Sequence, residues 1–277
     1  MKISILFKSI ILAMFLGIVS SCSNSPTITD ENADMAASDT ISEELTQIIT
    51  QFKMPSPIEV YIFLWENETR FNKDALNSVE NVNKYNSTVK KAINIGVYAS
   101  DIAYCSVYDK NQLTMNYFAV SKKLADDLGL SEGFDDSFLK RITDNIDNAD
   151  SLYNISNESY IKATSYLQNN GQTQLLPYIT FGGWLESMHI IISSIKQYNA
   201  NSNNIQILND QGILLENLVD YYKSINTNDD INDIYTDLEN LQAIYDKSLD
   251  NESEIISKEQ FNSIKSNIND IRNKWSK

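Results

Sequence analysis

Residues 93–118 read INIGVYASDIAYCSVYDKNQLTMNYF, and the fold turns on how that stretch is taken. From Ala92 to Tyr108 the one charge is Asp101, in a run that is otherwise mostly apolar. A helix apolar on nearly every side belongs in the middle of a protein, with other helices around it. Asn86-Ser87 supplies the cap that opens it. A second run, residues 175–195 (LLPYITFGGWLESMHIIISSI), holds two ionisable groups, tyrosine aside: Glu186 and His189. Its length raises a transmembrane question. Thr180, Glu186, Ser187, His189, Ser193 and Ser194 argue instead for a buried helix of a soluble domain. Gly182-Gly183 invites either a kink or the close approach of a neighbouring helix.

Helical periodicity continues outward from these two runs. Thr40 and Glu43 form a capping box ahead of Leu45, Ile48, Ile49 and Phe52. Ser56-Pro57 opens a helix carrying Val60, Phe63 and Leu64. A helix is expected over residues 74–84, with Leu76, Val79 and Val82 on one side. Another covers 111–128 and stops at Gly129-Leu130 in the Schellman manner. Others carry Phe138, Leu139, Ile142 and Ile146, then span 152–167 (closed by Asn169-Asn170-Gly171), 204–222 and 231–249. The last, 257–275, opens on a Ser257/Gln260 capping box and carries Phe261, Ile264, Ile268, Ile271 and Trp275. No alternating stretch reads as a strand. The expected fold is all-α: a multi-helix bundle or irregular array of antiparallel helices around two apolar central helices, occupying residues 40–277.

The first 21 residues are expected to be a signal peptide. Lys2 and Lys8 form a positive n-region, and residues 9–19 an apolar h-region too short to span a bilayer. Val19-Ser20-Ser21-Cys22 then resembles the bacterial lipobox, which implies a diacylglyceryl group, and palmitate, on Cys22. Multiple acyl chains give stable membrane anchoring. Residues 22–39 are polar and lack aromatics, as a flexible tether does; such a chain reaches about 20–25 Å. Without Lys2 and Lys8, 20 basic side chains face 37 acidic ones, a formal charge of −17. That surface repels nucleic acid, so no nucleic-acid partner is expected.

Chemistry-bearing residues are few. His189 is the only histidine. Glu186 and His189 have the spacing of helical di-iron ligands, but a second such pair is needed and is missing, so neither metal nor cofactor is expected. Cys105, left alone once Cys22 is acylated, has no disulfide partner. It sits on an apolar helix without a nucleophile turn, as an inert buried thiol does. Residues 226–237 echo a calcium loop, yet Ile231 stands where the sharp turn needs glycine. No catalytic set emerges, and an enzyme is not expected. The informative constellation is Asp101 with Glu186 and His189. Buried charges must pair, hydrogen-bond or change protonation. If the two apolar helices are neighbours, these three meet, with Tyr104 and Trp184 beside them. They then form a polar clamp that fixes helix register, or the pocket of a small ligand.

Pro55-Ser56-Pro57, Ala92-Ile93-Asn94-Ile95-Gly96-Val97-Tyr98, Asp101-Ile102-Ala103-Tyr104 and the segment Lys123-Leu124-Ala125-Asp126-Asp127-Leu128-Gly129 carry a further likeness. With the lipobox, they resemble a family of Bacteroidota lipoproteins with a helical domain of unknown function. The resemblance implies an acylated envelope protein, commonly of the outer membrane, with a helical fold and no implied activity. The expected function is binding, as accessory or adaptor to another envelope protein. The alternative is a lipoprotein that holds a small ligand at Asp101, Glu186, His189, Tyr104 and Trp184.

Overall fold

The computed structural model describes residues 57–130, 137–145, 148–225, 228–247 and 255–277. The expected signal peptide, Cys22, the expected tether, the helix expected over 40–52 and Ile146 lie outside them. The described residues form an all-α fold with no strand.

Nine α-helices follow in order: α1 (Pro57–Glu66), α2 (Thr88–Val107), α3 (Asn111–Asp127), α4 (Ser137–Asp144), α5 (Ala149–Asn169), α6 (Leu176–Ser194), α7 (Asn203–Ser224), α8 (Asp229–Asp246) and α9 (Lys258–Ser276). The two apolar runs are α2 and α6, and they pack on each other more extensively than any other pair. Helices α1 and α3 lean on α2, while α7 and α9 lean on α6, with α8 between α7 and α9. Although α6 is almost wholly buried, no helix among the described residues is long and apolar enough to cross a membrane.

Local chemistry sets the boundaries. Ser87 Oγ accepts from Lys90 N–H (3.1 Å) and starts α2. Asp109, at φ 54°, ends it, with Lys110 N–H reaching back to Cys105 O (2.8 Å). Gly129 (φ 72°) closes α3 in the same way, Leu130 N–H donating to Ala125 O (2.8 Å). Ser257 and Gln260 make both bonds of the capping box at α9. The last carbonyls of α9 are taken up by α2 and the segment before it: Asn94 Nδ2 donates to Trp275 O (3.0 Å) and Tyr85 Oη to Ser276 O (2.9 Å).

The glycines of α6 resolve into close approach. A Cβ on Gly182 would lie 1.9 Å from Ile93 O, and one on Gly96 would lie 1.9 Å from Ile179 O. Each helix thus rests a glycine on a backbone carbonyl of the other.

The helix expected over 74–84 is the one clear departure. Residues 67–87 form a strap containing two 3₁₀ turns, Lys73–Ala75 and Val79–Lys84, separated by Leu76-Asn77-Ser78. Leu76, Val79 and Val82 recur at a strict period of three, the period of a 3₁₀ helix rather than an α-helix. Asn72 and Ser78 cap the two turns through their side-chain oxygens.

Candidate functional site

Helix α2 is lined along one side by Tyr98, Asp101, Tyr104 and Tyr108, at spacings of three, three and four. All four polar heads bond to the strap's backbone. Tyr98 Oη donates to Ser78 O (3.0 Å) and Tyr108 Oη to Thr69 O (2.9 Å). Asn72 N–H donates to Tyr104 Oη (2.9 Å), and Asn77 N–H to Asp101 Oδ2 (3.2 Å). The strap therefore runs against the direction of α2, stitched to it four times.

Asp101 faces Glu186 of α6 and Arg272 of α9. The two carboxyls are 0% exposed and Arg272 4%, so the cluster is sealed from solvent. Arg272 grips Glu186 with two parallel bonds, Nε to Oε2 and Nη2 to Oε1, both 2.6 Å. Arg272 Nη2 also donates to Ala75 O of the strap (3.3 Å). Asp101 Oδ1 is buried and finds no N–H or O–H donor among the described residues. Its carboxyl lies within hydrogen-bond reach of Glu186. Two carboxylates offer only acceptors, so a proton on one of them is what makes that approach a bond. Burial holds Asp101 well above the usual carboxylate range, and the charge of Glu186 adds to it, with Arg272 opposing. The neutral form of Asp101 is thus the favoured one beside the Arg272–Glu186 pair.

Beside the cluster, Tyr61 of α1 bonds Ser100 and Ser187, and Ser187 Oγ donates to Gly183 O (2.8 Å). Burial pushes the Tyr61 phenol far up.

The residues singled out from the sequence therefore divide. Asp101 and Glu186 meet. Tyr104 joins an aromatic group with Tyr61, Phe71 and Tyr108 and spends its hydroxyl on the strap. Trp184 is buried, its Nε1 without a partner among the described residues. His189 bonds neither carboxylate: Nδ1–H donates to Asn269 Oδ1 (3.1 Å), and Ser193 Oγ lies 3.5 Å from Nε2. Cys105 is buried, and burial raises its thiol. Asn228, in the calcium-loop echo, caps α8 through Ile231 N–H (2.9 Å), and Asp237 pairs with Lys274 (3.0 Å) and Trp275 Nε1 (3.1 Å). Among the described residues no three His, Cys, Asp or Glu side chains gather as metal ligands.

Arg272 is the functional group that periodicity alone passes over. A signal for it exists. Of the three arginines, at 70, 141 and 272, it is the one flanked at i−4 and i+3 by apolar residues, Ile268 and Trp275. Two acids on core helices need a cation, and that arginine sits on the α9 stripe.

His189 provides a pH-dependent readout. Burial, and then the charge of Arg272, lower it to about 4 from its ordinary 6.5. The unfolded chain takes up this proton below 6.5 and the folded one only near 4. Stability is therefore lost as pH falls from 6.5 to 4, by about 3 kcal/mol at the bottom. Urea midpoints at pH 7 and pH 4 should fall less in His189→Gln than in wild type; equal falls would remove His189 as the cause.

The fold and cluster define an all-α protein with a sealed ion pair and a buried acid beside it. No family model, curated protein or solved structure matches this chain.

Proposed function

We propose that this protein is a lipid-anchored component of the bacterial cell envelope, held at the outer membrane by acyl chains on Cys22. It works by binding, as accessory or adaptor to another envelope protein. The observation that carries the reading is the n-region, short apolar stretch and Val19-Ser20-Ser21-Cys22 in register. The geometry supports recognition on the outside of the bundle. Arg272 bonds Glu186 and the strap, Asp101 bonds the strap, and 0–4% exposure keeps all three off the surface a partner would meet.

The test is metabolic labelling with an alkyne fatty acid, followed by crosslinking of the tagged protein in its own envelope. Wild type should carry the label and partition into detergent, and Cys22→Ser should do neither. Label retained in Cys22→Ser, or a wild type that stays unlabelled, would end the lipid reading. A dominant stoichiometric crosslink would name the partner; a protein recovered alone would count against the adaptor role. A second reading, a small ligand held within the bundle, is favoured by one observation, the buried Trp184 Nε1 that finds no partner among the described residues. A bound mass in native mass spectrometry that disappears in Trp184→Phe would support it.

A further inference from the structure

We propose that the strap, residues 67–87, is a latch keyed by a single proton: it stays closed on the bundle while Asp101 holds its proton, and lifts from α2 when that proton leaves.

Three observations on different elements carry this. The cluster has two carboxyls and one guanidinium, so it is balanced only with one proton aboard. Asp101 Oδ1 is buried with no donor among the described residues, and it belongs to the carboxyl that faces Glu186. The non-helical cover of the cluster is the strap itself. Asn77 N–H and Ala75 O, 1% and 2% exposed as residues, are its contacts with Asp101 and Arg272. Loss of the proton leaves an uncompensated negative charge away from water, which the protein relieves by letting water in. Water enters at least cost where backbone is held by side chains rather than by a helical ladder. At the strap those holds are the Tyr98, Asp101, Tyr104, Tyr108 and Arg272 bonds.

The groups facing the pair from each element keep one charge state across neutral pH. From α1 it is Tyr61, from the strap Tyr85, from α2 itself Tyr98 and Cys105, and from α3 Tyr117; burial raises all of them. From α9 it is Arg272, where burial works against the charge and Glu186 more than offsets it. His189, lowered to about 4, stays neutral. The Asp101 proton is therefore the one that moves.

The sign follows from the raised acid. The closed strap favours the protonated form, so closure is complete at low pH and weakens as pH rises. The experiment is hydrogen exchange read by mass spectrometry from pH 5 to 9.5, corrected for intrinsic rates, on wild type and Asp101→Asn. The amide keeps the shape of the protonated acid: Nδ2 can donate to Glu186 while Oδ1 accepts from Asn77. In wild type, protection of amides at 72–85 should fall about tenfold per pH unit once the proton is lost, with α2 and α6 still protected. In Asp101→Asn strap protection should be flat with pH. Flat protection in wild type up to pH 9.5 would overturn the latch, as would strap and central helices opening together. An Asp101→Asn chain that lacks helical circular dichroism, or one that keeps the wild-type pH profile, would overturn it too.

Discussion

Gly182→Ala should leave the chain without its native fold. The added Cβ would stand 1.9 Å from Ile93 O and 2.8 Å from Ile93 C, where ordinary contact begins at 3.4 Å. Both of those atoms are backbone inside α2, so no rotamer can clear them. Relief requires α2 and α6 to separate along their joint, and the joint is lined by Ile93, Val97, Phe181 and Leu185, all 0% exposed. Overpacking a core ordinarily costs about 1–3 kcal/mol because side chains yield. Here backbone meets backbone, and separation opens a void as well, so the loss should exceed about 5 kcal/mol and rival the whole stability of a typical domain. Gly96→Ala presses on Ile179 O from the other side and should behave alike. Gly212→Ala is the control. Its Cβ would meet the Tyr245 ring at 2.8 Å, a side chain with somewhere to go, and its urea midpoint should move far less. A Gly182→Ala protein with near-native circular dichroism and midpoint would disprove the joint.

Arg272→Met should cost about 3–5 kcal/mol, because it strands Glu186 at 0% exposure with no cation. The strap also loses the bond to Ala75 O. Adding Glu186→Leu to the same chain should recover most of that loss, since an apolar replacement of a buried pair is often neutral or better. Urea denaturation of both single variants and the double completes the cycle. Single variants within about 1 kcal/mol of wild type, or a double variant as weak as the sum of the singles, would show that the pair is not the unit.

Much of this architecture was legible in the chain, and particular residues show why. Two apolar runs, 92–108 and 175–195, read as central helices because nothing but burial accommodates them. Caps at Ser87 and Ser257 and the stop at Gly129 are local chemistry, so they read locally. Asp101 and Glu186 stood out as acids on core helices. The rest depends on tertiary placement. The choice between a kink and close approach at Gly182-Gly183 was settled by which carbonyl lay opposite. His189 was grouped with the acids by sequence spacing, yet its ring turns to Asn269. The 74–84 segment keeps the composition of a helix, but Tyr98 and Asp101 of α2 and Arg272 of α9 take up its backbone groups. Arg272 was lost among the polar residues of an amphipathic helix, visible only when the two acids are asked what neutralises them.

The tyrosine bonds have a consequence for how this fold can drift in sequence. Tyr85, Tyr98, Tyr108, Tyr222 and Tyr245 donate to the carbonyls of Ser276, Ser78, Thr69, Pro177 and Leu208. Only one end of each joint is a side chain. The tyrosine is bound to its identity, while the receiving position can change to almost any residue without loosening the joint. Correlated substitution between positions, the usual trace of contact in diverging sequences, would leave these five joints unmarked.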